Sequence, residues 1–360
     1  MLAGTATVVL GGQAGSEGKG KFAGYLAIKD NYEYAVSNFM PNAGHTWVSD
    51  EGEQVLVQML PQAVVNPNTT LYISAGAALD LDTLFHEMLK YKAFNRTFIH
   101  PRAMIIESRH KEAEAKSLDR ISSTLKGCGY ALGDKTSRGK NVKLAEDIKG
   151  LDNYIIPQAL FTERLLDVMA SGKDILIECP QGFDLDINHG LEYPYCTSRQ
   201  TITAQAIADA GLPPQVVGEV IAVIRPYPIR VGNAFDKDGK QVGTSGTYLD
   251  SPEITWEEVA IRGGVPREEI TEFTTVTGKL RRVFEPNWNR LRQMVDVNGV
   301  TQIALNFANY IDYSVTGART KEELTKKVWD FIDRIELETG VAVTLIGTGA
   351  RHSDIVDLRY

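Results

Sequence analysis

Eleven residues near the amino terminus, Gly11-Gly12-Gln13-Ala14-Gly15-Ser16-Glu17-Gly18-Lys19-Gly20-Lys21, include five glycines and two lysines. Such a stretch can cradle phosphate. Glycines let backbone N–H groups converge on an anion without Cβ obstruction, and the ammonium groups add full charges. The stretch follows the apolar run Ala6 to Leu10 and leads into the apolar helix start Phe22 to Ile28. The partial positive charge of a helix start therefore falls on the same place. The spacing is not that of a Walker A loop: five residues separate Gly12 from Gly18 where that motif has four, and Gly20 stands where a Ser or Thr would hold magnesium. A ligand-free strand-to-helix turn is the plain alternative, and the density of glycine and lysine weighs against it.

The elements that must position this loop read as an α/β pattern. Ala6 to Leu10, Thr70 to Ser74, Ala103 to Glu107, Asp174 to Glu178, Val216 to Ile224, Gln302 to Asn306 and Val341 to Ile346 are expected as strands, most of them buried on both faces. Leu79 to Tyr91, Pro157 to Ala170, Gln200 to Ala210, Asn287 to Val297 and Thr320 to Leu337 are expected as helices, the last opened by a Thr320/Glu323 capping box. The alternation implies a largely parallel central sheet covered by helices. One domain over residues 1–360 is expected, with insertions, of which Asn233 to Ser251 reads as a hairpin or excursion.

Composition narrows the function classes. The 360 residues carry a net charge of −8, so no general cationic field is available to hold a nucleic-acid backbone. No apolar run approaches the roughly 20 residues of a membrane-spanning helix. Cys128, Cys179 and Cys196 are the only cysteines and form no CxxC pair, and the first residues lack a basic region followed by an apolar core. A reducing cytoplasm is the expected location.

Further motifs extend the glycine loop into a constellation: Asn42-Ala43-Gly44-His45-Thr46, Ser123-Thr124-Leu125-Lys126-Gly127-Cys128-Gly129 with Asp134-Lys135 and Arg138, Gln181-Gly182 through Thr197-Ser198, Arg230-Val231-Gly232, and Thr277-Gly278-Lys279-Leu280-Arg281-Arg282. In this order and with the glycine loop they resemble the adenylosuccinate synthetase family over nearly the whole chain. The resemblance implies a P-loop-NTPase-like α/β fold. It also implies a ligase that phosphorylates the 6-oxygen of a purine monophosphate and lets the amine of L-aspartate displace that phosphate. Ser16, Lys19, His45 and Gln181 would then be catalytic. Ser16, Asn42, Ser123, Thr124, Arg138, Gln181, Thr197, Val231 and Gly232 would bind the monophosphate, with Arg138 reaching across a homodimer. Gly15, Glu17, Gly18, Lys19, Gly20, Lys21, Gly44, His45, Thr46, Asn306, Asn309, Gly347, Thr348 and Gly349 would take the triphosphate nucleotide. Thr277, Gly278, Lys279 and Arg281 would clasp aspartate, and Mg²⁺ would rest on phosphates, the Ser16 hydroxyl and the Gly44 carbonyl. Outside these motifs, His86, His100, His110 and His352 read as structural or surface residues.

Departures from the family pattern bear on the substrate. Ser16 replaces the aspartate that takes the N1 proton of inosine monophosphate, and a serine is no general base at neutral pH without a partner. A smaller neutral side chain leaves room for, and can accept from, an exocyclic 2-amino group, which guanine has and hypoxanthine lacks. The proton would then leave through water, phosphate or Glu17. Asn309 replaces the aspartate that reads the guanine of GTP; an amide can pair with adenine, so ATP or dATP is expected as donor, as it also is if this turn no longer reads the base. At the first basic position of the aspartate loop, Lys279 replaces Arg and gives up a bidentate grip. Asn188 also replaces an aspartate, without an assigned consequence. Together Ser16 and Asn309 resemble a viral branch of the family that converts dGMP to N6-succino-2-amino-dAMP for diaminopurine DNA. An IMP-using synthetase and a non-catalytic nucleotide-binding module are the alternatives; a sensor would need no aspartate loop.

Overall fold

Residues 3–117, 121–273 and 278–360 are described in the structure, a computed structural model. Nine strands make the central sheet: β1 (Ala6–Gly11), β2 (Tyr34–Ser37), β3 (Thr70–Ile73), β4 (Thr97–Ile99), β5 (Ile175–Glu178), β6 (Val217–Ile224), β7 (Gln302–Leu305), β8 (Val343–Gly347) and β9 (Ile355–Asp357). Their spatial order is β9-β8-β7-β6-β1-β5-β2-β3-β4, parallel throughout except that β9 runs antiparallel to β8. After β1 the chain builds β2 to β5 on one side, then crosses to build β6 to β9 on the other. The carboxyl end of β1 is therefore a topological switch point, where open α/β sheets leave a crevice for ligands.

Alternation along the strands feeds two cores. Ala6, Val8 and Leu10 of β1 enter one apolar cluster with Val220, Ala222 and Ile224 of β6, whereas Val9, Ile221 and Val223 enter the opposite cluster. The first face is covered by Gln158–Ala170, Thr203–Ala210, Trp288–Asn298 and Lys326–Thr339, which bury Phe161, Ile207, Met294 and Ile332 among others. The second is covered by Lys19–Lys29 through Phe22 and Leu26, and by Leu81–Lys90 through Leu84 and Met88. Burial on both faces explains why the strands read as continuous apolar runs.

Several expected boundaries shift. Ala103 to Glu107 yields only Met104–Ile105, which pairs with Ala78–Leu79 outside the main sheet. The Thr320/Glu323 capping box is present but closes a single 3-10 turn, Lys321–Glu323; the long helix starts at Lys326. The strands β2, β4 and β9 and the helices Ser108–Ser117, Cys128–Ser137 and Trp256–Gly263 carry signals too short or too polar to stand out in the sequence. Residues 233–251 do contain a hairpin, Ala234–Phe235 with Gln241–Gly243.

Two further layers wall the crevice. One is an antiparallel hairpin of His45–Val48 with Gln54–Val57. The other is a three-stranded antiparallel sheet with Arg282–Phe284 between Ile229–Arg230 and Glu253–Ile254, backed by Trp256–Gly263 and a small core of Trp256, Val259, Ile270 and Val283.

The glycine loop fits against the chain leaving β5 with no room to spare. A Cβ at Gly182 would lie 2.0 Å from the Gln13 carbonyl oxygen and 2.5 Å from Glu17 Oε1. Gly182→Ala is therefore expected to displace the loop, lower stability by about 1–3 kcal/mol as overpacking does, and weaken nucleotide binding. Thermal denaturation with and without ATP checks both effects.

Candidate active site

The loop after β1 is shaped by left-handed backbone at Gly15 (φ 92°), Ser16 (φ 58°) and Gly18 (φ 86°), with Gly18 capping the helix that starts at Lys19. Successive amides in such a run face a common concavity that suits an anion. The loop is anchored from within. Glu17 is fully buried; its Oε1 accepts from the Gln13 amide at 3.1 Å and the Gly15 amide at 2.8 Å, and its Oε2 pairs with Lys19 Nζ at 3.2 Å. The Gln13 side chain ties the loop to the end of β6, donating to the Arg225 carbonyl at 3.1 Å and accepting from the Arg225 amide at 2.9 Å.

A cavity of about 450 Å³ opens at this switch point. Of the residues expected to act on ligands, it brings together Gly15, Ser16, Gly18, Lys19 and Gly20 of the loop, Asn42, Gly44, His45 and Thr46, Ser123 and Thr124, Gln181 and Thr197, Val231 and Gly232, and Lys279 and Arg281. Residues separated by more than 250 positions in sequence thus share one wall-to-wall space. The basic residues among its lining are Lys19, His45, Arg230, Lys279 and Arg281, an excess of positive charge suited to phosphates and carboxylates.

His45 is held from two sides. Its Nδ1 lies 2.7 Å from Glu178 Oε1, and its ring stacks on Phe39 with centroids 4.0 Å apart. The other Glu178 oxygen accepts from the Gln62 amide at 2.7 Å. A carboxylate on Nδ1 fixes that nitrogen as the protonated one and leaves Nε2 for a ligand. Glu178 ends β5 and was not among the expected site residues. Its signal was an acidic residue closing the apolar run Ile175-Leu176-Ile177, at the strand end where such sheets place function. Beside it Gln181, itself left-handed (φ 56°), donates from Nε2 to Asn42 Oδ1 at 3.1 Å.

Other expected residues stand outside the cavity lining. Glu17 faces into its own loop, so its carboxylate is a framework group there. Lys21, also expected at phosphate, donates to the carbonyls of Gly349 and Asp354, both at 2.7 Å, and burial brings its ammonium down to about 7. It binds the first helix to the carboxy-terminal segment. Thr348 is buried, with its hydroxyl on the Ala318 carbonyl at 2.7 Å. Asn306 donates to the Glu17 carbonyl at 3.0 Å and is wedged between Gly18 and Gly347, where a Cβ would come within 2.1 Å of its side chain on either side. The ends of β7 and β8 thereby meet the glycine loop. Asn309 lies in the next turn, Ala308–Tyr310, half-buried. Arg138 is exposed at the end of the helix Cys128–Ser137, and Gly278 is exposed as well. Thr277 lies outside the described residues. Asn188 donates its amide to Asp186 Oδ1 at 2.8 Å, within a turn that the buried Asp186 organises.

The remaining histidines sit elsewhere: His100 accepts from the Arg102 amide, His110 approaches Asp134, and His352 accepts from Trp47. Burial pushes the Cys128 and Cys179 thiols up to about 12, far from nucleophilic use. Among the described residues no cluster of three His, Cys, Asp or Glu side chains is arranged to hold a metal, and no helix is long and apolar enough to cross a membrane.

Comparison with known proteins agrees with this geometry. The adenylosuccinate synthetase family model matches residues 8–150 and 141–314. The adenylosuccinate synthetase of Methanococcus vannielii is 36% identical over 363 residues, covering 99% of each chain. The N6-succino-2-amino-2'-deoxyadenylate synthase of Acinetobacter phage SH-Ab 15497 is 35% identical over 334 residues, 85% of this chain and 84% of its own. Among solved structures, the succinoaminodeoxyadenylate synthetase of cyanophage S-2L, bound to dGMP and to dATP as energy donor, superposes with a TM-score of 0.83 at 30% identity, covering 99% of this chain and 96% of that one. The adenylosuccinate synthetase of Plasmodium falciparum, at 18% identity and a TM-score of 0.81, shares the fold over 98% of this chain and all of its own. With its motifs gathered at one switch-point cavity and its whole length aligned to these enzymes, the chain belongs to the adenylosuccinate synthetase family, ligases that join aspartate to a purine nucleotide through a C–N bond.

Proposed function

We propose that this ligase condenses dGMP with L-aspartate at the expense of ATP or dATP, giving N6-succino-2-amino-dAMP, ADP or dADP, and phosphate. The observation that carries this reading is that Ser16, a small neutral hydroxyl, lines the cavity, at the wall this reading gives to the purine. Likeness to the two phage enzymes, one of them bound to dGMP and dATP, supports it.

In this reading the purine 6-oxygen faces His45 Nε2 and the Gln181 amide. As N1 loses its proton, the 6-oxygen attacks the γ-phosphorus and the bond to the donor's bridging oxygen breaks. Lys19 and the loop amides hold the phosphoryl group. The aspartate amine then attacks C6, the C6–O bond breaks, and phosphate leaves with a proton from the amine left to solvent. Protonated on both nitrogens, His45 is oriented by Glu178 through Nδ1–H and donates from Nε2–H to the oxygen on which charge builds in both steps. Because Glu17 is committed to its loop, N1 deprotonation falls to water or phosphate. Thr124 and Thr197 hold the monophosphate, and Arg138 serves a neighbouring subunit in a homodimer. Lys279 and Arg281 take the aspartate carboxylates.

In this reading Mg²⁺ would be held mainly by substrate phosphates and water, with the Ser16 hydroxyl and the Gly44 carbonyl, both of cavity-lining residues, as protein oxygens. Bound there, Mg²⁺ would offset phosphate charge during transfer.

Purified protein with Mg²⁺, aspartate and ATP should yield a succinylated product from dGMP, detected by mass, and far less from IMP; product from IMP alone overturns the guanine assignment. Ser16→Asp should lower turnover of dGMP and raise that of IMP by up to ~10²-fold, the lower end of what a placed general base supplies. Asn309→Asp should shift donor use from ATP towards GTP, read from donor KM values. His45→Ala should lower kcat by roughly 10²–10⁴-fold, and Glu178→Gln, which keeps the shape of the support but not its charge, should lower it less with KM values little changed.

A further inference from the structure

We infer that Glu272 is a positioning residue that ties the aspartate-facing guanidinium of Arg281 to the phosphate loop, so that donor and aspartate sites are set by one carboxylate. The inference rests on the functional reading above for the identity of the two ligands.

Glu272 lies just after the turn Arg267–Ile270, and its strand-like segment pairs with the aspartate loop: the Arg281 amide donates to the Glu272 carbonyl at 2.9 Å, and Phe273 bridges to Leu280. Its carboxylate sits between two guanidinium groups. Oε2 accepts from Arg281 Nη1 at 2.6 Å and from Arg225 Nη1 at 3.2 Å; Oε1 accepts from Arg225 Nη2 and, at 3.1 Å, from the Tyr310 hydroxyl. Arg281 lines the cavity. Arg225 has a fully buried side chain, and its Nη1 also donates to the Ser16 carbonyl at 3.1 Å. The same guanidinium lies 4.3 Å from the centroid of Phe307, in the turn that carries Asn309.

Three parts of the site therefore converge on one anion: the aspartate loop directly, the glycine loop through Arg225, and the donor-base turn through Tyr310 and the Arg225–Phe307 stack. Arginine cannot shed its proton to relieve a buried charge. The Nε atoms of Arg225 and Arg281 find no hydrogen-bond partner among the described residues, and the Glu272 carboxylate is the hydrogen-bond partner that the two guanidinium groups share. Burial alone would raise the Glu272 carboxyl, but the Arg225 and Arg281 charges hold it below the ordinary range, so it stays ionised for this role. Neither Glu272 nor Arg225 lines the cavity, which separates positioning from contact with substrate.

Steady-state kinetics of Glu272→Gln, with the purine monophosphate that the wild type uses best, test the inference. The aspartate KM should rise about tenfold, within the range for coupled neighbours, and the donor KM several-fold. Arg281→Lys should raise the aspartate KM in the wild type yet add little in the Glu272→Gln background. An aspartate KM within twofold of wild type, or additive effects of the two substitutions, overturns the inference. If Glu272→Gln fails to fold, Glu272→Asp keeps the charge but is too short to span both arginines, and the same rise in aspartate KM at an unchanged melting temperature is expected; no rise overturns the inference. A wild type inactive on every purine overturns the functional reading and this inference with it, whereas activity on IMP in place of dGMP overturns only the substrate assignment.

Discussion

A carboxylate with no access to water is the constraint around which this site is built. Leaving Glu17 ionised in the interior is costly unless its charge is paired and its lone pairs are filled. Two amides of its own loop and the ammonium of Lys19 do so. That solution fixes much else. The loop must curl tightly enough to aim the Gln13 and Gly15 amides inward. Lys19 must point towards the sheet, which brings it to the cavity wall. Glycine is required where other chains approach the carboxylate: a Cβ at Gly11 would come within 2.7 Å of Glu17 Oε2, and one at Gly182 within 2.5 Å of Oε1. The backbone carbonyl of the same residue receives the Asn306 amide, which draws in the ends of β7 and β8. One buried anion thus links four strands around the phosphate cradle.

The second carboxylate, Glu178, works at the neighbouring strand end. It is also buried, and it divides its oxygens between the His45 imidazole and the Gln62 amide. β1 and β5 are adjacent and parallel with Val9 in register with Glu178, so Glu178 closes its strand beside the end of β1 from which the glycine loop leaves. One shapes the phosphate cradle and the other orients the imidazole. Their separation into two roles follows from partners: a lysine and loop amides for Glu17, an imidazole for Glu178.

Much of this was legible in the sequence because the determining signals were local. The buried parallel strands appeared as apolar runs, and the cavity-lining residues fell in short motifs rich in glycine and in residues that can bind anions. What escaped was set by distance. Glu17 and Lys21 fall within the motif expected at phosphate, and only the packing shows that their hydrogen-bonding capacity is spent on loop amides and on carbonyls more than 300 residues away. The partners of Glu178 and Glu272, His45 and Arg225, lie on other elements, so the pairing of these carboxylates has no local signature. The short strands β2, β4 and β9 have three or four residues of mixed polarity that give no periodicity to read, and their state is decided by the neighbouring strands. The Thr320 capping box was read correctly as a helix start but for the wrong helix, since a single turn satisfies it as well as a long one.

Under the proposed function, Ser16 would change the substrate of this scaffold without changing its shape. Its backbone is left-handed, a conformation in which aspartate is more at ease than serine. The loop nonetheless holds it there, since its carbonyl receives Arg225 Nη1 and both neighbours, Gly15 and Glu17, are fixed by the buried carboxylate network. The backbone at this position is thus set by contacts that do not involve its side chain. A substitution there alters the chemistry of one wall of the cavity, while the contacts that hold the loop, the His45–Glu178 pair and the arginines around Glu272 do not involve its side chain. In the proposed function substrate choice would then vary at position 16, because the groups assigned to phosphoryl transfer and to aspartate are anchored elsewhere.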